Sequence, residues 1–128
     1  MKIGPLAHGF TALALLAGGS AAQAEGDPAA GQRVYNTCRA CHVVDQEQNR
    51  VGPHLVGIFG REAGAVEGFN YSPALKESGI VWDEESIAAY VADPRGFIPG
   101  NRMAFAGVRR EADIENLLAY LREATAVE

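Results

Sequence analysis

The sequence contains no apolar run long enough to cross a membrane. Its longest, residues 10–17 (FTALALLA), has eight residues, whereas a membrane-spanning helix needs about 20. Basic side chains are also in the minority, with 11 Lys and Arg against 16 Asp and Glu and a formal net charge of −5. Because nucleic-acid binding depends on positive charge, we expect neither a nucleic-acid partner nor a transmembrane segment.

Side chains that bind metals are scarce as well. Beyond residue 24 the chain holds two cysteines, two histidines and one methionine. A structural zinc site needs four ligands and would have to use both cysteines and both histidines at once, which disfavours zinc. Any metal chemistry must therefore use these few side chains.

The first 24 residues have the three parts of a secretory signal peptide. Lys2 supplies the positive start, residues 10–17 the apolar segment, and Ala22-Gln23-Ala24 the small-residue cleavage site. We therefore expect export to the periplasm and cleavage after Ala24. Residues 25–128 then form one domain, which is more acidic by one charge because Lys2 is lost.

Helix signals recur along this domain, and no stretch shows the sustained alternation of a strand. Four helices are expected. The first starts at Asp27-Pro28 and runs toward Cys38, the second starts at Ser72-Pro73 and ends near Gly79, and the third starts at Asp83 and ends at Asp93-Pro94. The fourth contains the apolar stripe Ile114, Leu117, Leu118 and Leu121. Residues 94–103 hold two prolines and two glycines, which predict a non-helical loop. The fold class is therefore all-α.

The residues Cys38-Arg39-Ala40-Cys41-His42 spell C-x-x-C-H, the attachment motif for a c-type haem. If the helix continues through the motif, the two sulfurs share one face and can form thioethers, and His42 lies beside them as an iron ligand. A redox dithiol is typical of a βαβ context, which is missing here, and a structural disulfide would leave His42 without a role. Met103 is the one methionine after the initiator, and so the one thioether candidate for a second iron ligand.

These residues belong to an ordered set that resembles class I cytochromes c, of the short bacterial and mitochondrial type. The resemblance covers about Asp27 to Thr125. It includes Gly31 with Tyr35; CRACH at 38–42; Gly52-Pro53; GIFGR at 57–61; GFNYS at 68–72; GIVW at 79–82; Tyr90 with Asp93-Pro94; IPGNRM at 98–103; Phe105; and Leu117 with Tyr120-Leu121.

The resemblance implies a fold in which the N- and C-terminal helices cross and short helices and loops surround one covalent haem c. It implies His42 and Met103 as axial iron ligands, and Gly31 as the point of close helix packing. The remaining cofactor contacts that it implies are Cys38 and Cys41 (thioethers); Pro53 (carbonyl acceptor for the His42 ring); Arg61, Tyr71, Trp82 and the Asn101 amide (haem propionates); Tyr90 (near Met103); and Phe105 (haem edge).

The chain departs from the family pattern at a few positions. Leu75 stands where many members have an asparagine, and most of the family's lysines are absent, since Lys76 is the one lysine after residue 24. His54 follows Pro53 and is the alternative nitrogen ligand.

The charges are unevenly distributed. Residues 95–110 hold Arg95, Arg102, Arg109 and Arg110 and no acid, while residues 77–93 hold five acids and no base. We therefore expect acidic redox partners to dock transiently at the arginine side, near the haem edge. The function predicted is that of a soluble, monomeric, periplasmic one-electron carrier serving respiratory or photosynthetic partners, and not an enzyme. The alternatives are a gas-binding or catalytic haem protein and a thiol–disulfide protein without haem.

Overall fold

A computed structural model describes Gly4, Gly9 and residues 26–128. The predicted signal peptide otherwise lies outside the described residues and stays a prediction. The helices are α1 (Pro28–Tyr35), α2 (Pro73–Lys76), α3 (Glu84–Ala92), α4 (Pro94–Phe97) and α5 (Glu111–Ala124). Within residues 26–128 the β-type backbone pairing is limited to one isolated bridge between Glu62 and Val81. The described part of the chain therefore confirms the all-α class.

Helix α1 begins as its sequence predicts and ends earlier. The Asp27 carboxylate accepts a hydrogen bond from the Ala29 N–H, and Pro28 occupies the first turn. The prediction that the helix continues toward Cys38 is wrong, because after Tyr35 three-residue and four-residue hydrogen bonds alternate and the regular helix ends. The Thr37 N–H and hydroxyl both bond to the Val34 carbonyl, at 3.2 and 2.8 Å. The C-x-x-C-H motif therefore lies in turns.

The turn around the motif closes on one carbonyl oxygen. The N–H groups of Cys41 and His42 both donate to the Cys38 carbonyl, each at 3.0 Å. The two cysteines and His42 thus keep a compact, helix-like arrangement without belonging to a helix.

The segment after Asp93 also differs from expectation. Residues 94–103 were predicted to be non-helical, but Pro94–Phe97 form α4, a single turn. Proline suits the first position of a helix, and the Asp93 carboxylate caps the turn by accepting from the Gly96 N–H at 3.0 Å. The prediction therefore holds only beyond Phe97.

Helices α1 and α5 form the main helix–helix contact. A Cβ atom at Gly31 would overlap the Asn116 carbonyl oxygen on α5, so this position admits only a hydrogen. The rings of Tyr35 and Tyr120 pack beside this contact with their centroids 5.2 Å apart. Leu117 of α5 is 1% exposed, and Arg122 pairs with Glu84 of α3.

The described part of the chain has no helix long and apolar enough to span a membrane. Its core is formed by side chains from α1, α3, α5 and the loops between them, namely Tyr35, Ile58, Ala63, Trp82, Ile87, Ile98, Val108, Leu117, Leu118 and Leu121. Several of these also line the cavity described below.

The contact at Gly31 predicts the outcome of a one-carbon substitution. Gly31→Ala should lower the free energy of unfolding by about 1–3 kcal/mol, the usual cost of overpacking. This exceeds the roughly 0.5–1 kcal/mol that alanine gains over glycine within a helix. The measurement is urea denaturation followed by circular dichroism. Gln32→Ala, at the next and exposed position, is the control, and equal midpoints for the two variants would contradict the packing argument.

Candidate functional site

One cavity of about 380 Å³, with mainly apolar walls, collects the site residues predicted from the sequence. Its lining includes Cys38, Cys41, His42, Pro53, Arg61, Tyr71, Trp82, Tyr90, Asn101, Met103 and Phe105. These residues come from the loops after α1, the central loops, α3 and the loop after α4. The cavity is therefore a product of the whole fold.

His42 is held in one tautomer. Its Nδ1 lies 2.7 Å from the Pro53 carbonyl oxygen, and because a carbonyl can only accept, Nδ1 carries the hydrogen. Nε2 is then the nitrogen with the lone pair, the form that binds a metal. Burial lowers the pKa of His42, although the Pro53 bond opposes this shift, so the ring is neutral at pH 7.

Gly52 makes room for this arrangement. A Cβ atom at residue 52 would overlap the His42 ring. The Gly52-Pro53 pair thus provides both the space for the imidazole and its hydrogen-bond acceptor.

Tyr35 makes a second attachment to His42, which the sequence did not reveal. Its hydroxyl donates to the His42 carbonyl oxygen at 2.7 Å. Burial raises the pKa of Tyr35 to about 12, so the hydroxyl keeps its proton. No sequence pattern distinguishes this bond from ordinary core packing, because the turn after α1 decides whether the His42 carbonyl comes within reach of the Tyr35 hydroxyl.

Cys38 and Cys41 are not joined in a disulfide. Burial raises the pKa of the Cys38 thiol, although a contact with the Thr37 hydroxyl opposes the shift. Redox-active dithiols instead have a thiol whose pKa is lowered. The environment of Cys38 therefore disfavours the thiol–disulfide alternative.

Arg61 places a half-buried guanidinium at the cavity. One terminal nitrogen donates to the Val56 carbonyl at 3.1 Å. Its Nε is buried and has no hydrogen-bond partner within the described residues. A buried donor of this kind requires an acceptor, and an anionic group bound in the cavity can supply it.

Further polar groups at the cavity belong to aromatic side chains, namely the hydroxyls of Tyr71 and Tyr90 and the indole N–H of Trp82. The Tyr71 hydroxyl accepts from the Val66 N–H at 3.2 Å, which leaves its hydrogen available to an acceptor in the cavity. The rings of Trp82 and Tyr90 lie 5.1 Å apart. Burial raises the pKa of Tyr90 to about 12, so it also stays neutral.

The Asn101 amide is fully used by the backbone. It donates to the carbonyls of Pro94 (2.7 Å) and Ile98 (2.8 Å) and accepts from the Met103 N–H at 2.9 Å. Because a primary amide has two hydrogens, none is left for a haem propionate. The role expected for this amide does not match the geometry.

His54 and the four arginines also have defined surroundings. His54 lies outside the cavity lining, and its Nδ1 accepts from the Val56 N–H at 3.2 Å. Arg102 lines the cavity and donates to the Tyr71 carbonyl at 3.4 Å. Arg110 forms a salt bridge of 2.8 Å with Asp113, while Arg95 and Arg109 are exposed.

The cavity suits a large flat cofactor with an apolar body and anionic edges. Its walls include apolar side chains that were not among the predicted site residues, such as Leu55, Ile58 and Val91. Its polar contributors are a neutral histidine, two thiols, a thioether and the unpaired Arg61 nitrogen. This donor set matches a covalently bound iron porphyrin with carboxylate substituents.

Comparisons with known proteins agree with this assignment. The family model described as Cytochrome c matches residues 28–125. Cytochrome c-550 of Nitrobacter winogradskyi is 46% identical over 99 residues, 77% of this chain and 91% of the relative. Cytochrome c2 of Blastochloris viridis is 44% identical over 115 residues, 89% of this chain and 91% of the relative.

A solved structure, cytochrome cH from Methylobacterium extorquens, superposes with a TM-score of 0.72 at 39% identity, covering 77% of this chain and 99% of that one. The motif at residues 38–42, the cavity around it and these similarities have one explanation: the chain belongs to the cytochrome c family, electron carriers with a covalent c-type haem.

Proposed function

We propose that this protein is a periplasmic one-electron carrier in which His42 and Met103 are the two axial ligands of the haem iron. The observation that carries the proposal is that Cys38, Cys41, His42 and Met103, from distant parts of the chain, line one apolar cavity. A haem supplies an iron that changes between two oxidation states. The protein's part is to hold, orient and enclose it.

The turn at residues 38–42 provides the covalent and proximal attachments. Cys38 and Cys41 would form the thioethers, and the neutral Nε2 of His42 would hold the iron. The Pro53 carbonyl and the Tyr35 hydroxyl fix the ring and the backbone of His42. A histidine whose ring and backbone are both held would keep its orientation toward the iron.

The opposite attachment comes from Met103. A thioether is a soft, neutral ligand that favours reduced iron and raises the reduction potential. With His42 and Met103 both holding the iron, no position would be left for a substrate to bind it. Among the described residues lining the cavity there is no carboxylate, and His42 is the sole histidine, so the acid–base group that a catalytic haem site needs is missing.

Polar side chains balance the charge of the propionates. Arg61 offers its unpaired Nε, and Tyr71 and Trp82 offer a hydroxyl and an indole N–H. Without such donors a carboxylate buried in an apolar cavity would be strongly disfavoured. Tyr90 and Phe105 complete the walls, and mainly apolar walls limit the reorganisation that accompanies electron transfer.

Export and the monomeric state belong to the same proposal. Cleavage after Ala24 would leave the Asp27 cap and α1 intact, since that helix starts at Pro28. The bacterial cytochromes c2 and c-550 named above are relatives of matching length. A one-electron carrier needs mobility between its partners, which favours a small monomer.

The arginine side is proposed as the docking surface. Arg95, Arg102 and Arg109 are exposed, and Arg102 also lines the cavity, so it marks where the haem comes near the surface. Arg110 contributes less because Asp113 neutralises it. A partner with acidic groups around its own redox centre would be steered to this side.

The covalent attachment can be tested on denatured protein. The double variant Cys38→Ala, Cys41→Ala should lose its haem during denaturing electrophoresis, because no thioether remains to retain it, and haem staining measures the loss. Each single variant keeps one thioether and serves as the control. Staining of the double variant equal to that of the parent would exclude these cysteines as attachment points.

The sixth ligand can be tested with carbon monoxide. Ferrous Met103→Ala should bind the gas with a changed visible spectrum and should have a lower reduction potential, since the thioether is gone, whereas the parent spectrum should not change. Leu75→Ala is the matched control, because Leu75 also lines the cavity but cannot bind iron. A Met103→Ala protein with the parent's potential and resistance to the gas would remove Met103 from the site.

The docking surface can be tested by charge reversal. Arg102→Glu should slow reduction by an acidic redox partner severalfold at low ionic strength, and added salt should reduce the difference. Stopped-flow kinetics measures both effects. Arg33→Glu changes the net charge equally at an exposed position on α1 and should change the rate much less. Equal slowing by both variants would show that net charge, and not this surface, steers the partner.

A further inference from the structure

Asn101 ties together three backbone groups of the segment that carries Met103. Its amide bonds to the carbonyls at the start and end of the α4 turn, Pro94 and Ile98, and to the N–H of Met103, all within 2.9 Å. The side chain therefore crosslinks the segment to the capped turn of α4.

The stretch after Asn101 has little regular structure to hold it. Residues 101–110 form no helix, and Gly100 before them has a left-handed φ of 88°. Beyond Asn101, the Met103 carbonyl accepts from the Phe105 N–H at 2.9 Å, which closes a local turn. That turn does not connect Met103 to α4, whereas the Asn101 amide does.

We propose that Asn101 is a positioning residue that holds Met103 against displacement by other ligands of the iron. The inference rests on the proposed His42 and Met103 ligation and adds the element that keeps it closed. For an external ligand to bind, the Met103 sulfur must leave the iron, and we expect the Met103 backbone to shift with it. Such a shift breaks the bond between the Met103 N–H and the Asn101 side chain.

The amide suits this task better than a hydroxyl. Its two hydrogens serve two carbonyls while its oxygen accepts from Met103, three bonds in total. A threonine hydroxyl has a single hydrogen and can donate to one carbonyl at a time. Asn101→Thr should therefore weaken the attachment partly, and Asn101→Ala should abolish it.

The experiment is a titration of the ferric holoprotein with imidazole, followed by its visible spectrum, in four proteins: the parent, Asn101→Ala, Met103→Ala and the double variant. Asn101→Ala should bind imidazole about tenfold more tightly than the parent, the factor expected from the loss of one or two net hydrogen bonds. In the Met103→Ala background the same substitution should have no further effect, because no thioether remains to be held.

Asn49→Ala is the matched control. The Asn49 amide also joins two backbone groups, the Glu67 carbonyl at 3.2 Å and the His54 N–H at 3.1 Å, on a loop without Met103. It should lower stability while leaving imidazole affinity at the parent's value. If Asn101→Ala does not retain haem, Asn101→Thr should show a smaller increase in affinity, again only when Met103 is present.

Three results would overturn the proposal. Unchanged affinity in both Asn101 variants would show that the bonds do not restrain Met103. An equal increase with and without Met103 would mean that Asn101 acts on the cavity in general, for example through a propionate. If Met103→Ala itself binds imidazole no better than the parent, the proposed ligation fails first, and the role of Asn101 fails with it.

Discussion

The hydrogen bond between the His42 ring and the Pro53 carbonyl is the constraint around which the site is built. It requires Nδ1 to carry the proton and thereby leaves the Nε2 lone pair in the cavity. Other features follow from it: Gly52 must lack a side chain, and the Tyr35 hydroxyl anchors the His42 backbone to α1. Because α1 in turn packs on α5 at Gly31, His42 is connected to the main helix pair.

The distal half is built on a different principle. Met103 lies in a segment without helix, and its position depends on a short chain of local bonds. Asp93 ends α3 and caps α4, and Asn101 connects that capped turn to the Met103 backbone. A stiff proximal side and a distal side held by side-chain bonds suit the proposed haem, whose porphyrin would be attached through Cys38 and Cys41 and whose iron would take a further ligand from Met103.

Burial explains the protonation states in the cavity. It lowers the pKa of His42 and raises those of Cys38, Tyr35 and Tyr90, so each of these groups is neutral at pH 7. Arg61 is the exception, because a guanidinium keeps its proton even when burial lowers its pKa. Its unpaired nitrogen therefore points to an anion that comes with the cofactor.

The sequence by itself determined the features that depend on neighbours in the chain: the C-x-x-C-H motif, the caps at Asp27, Ser72 and Asp83, and the stripe of α5. Tertiary structure decided the rest. The early end of α1 and the extra turn α4 depend on competition between nearly equal local hydrogen bonds. The folded backbone determined which of its polar atoms remained free to bond with the side chains of Tyr35, Arg61 and Asn101. A resemblance could name Asn101 as a site residue, but only the positions of the Pro94, Ile98 and Met103 backbone groups showed what its amide holds.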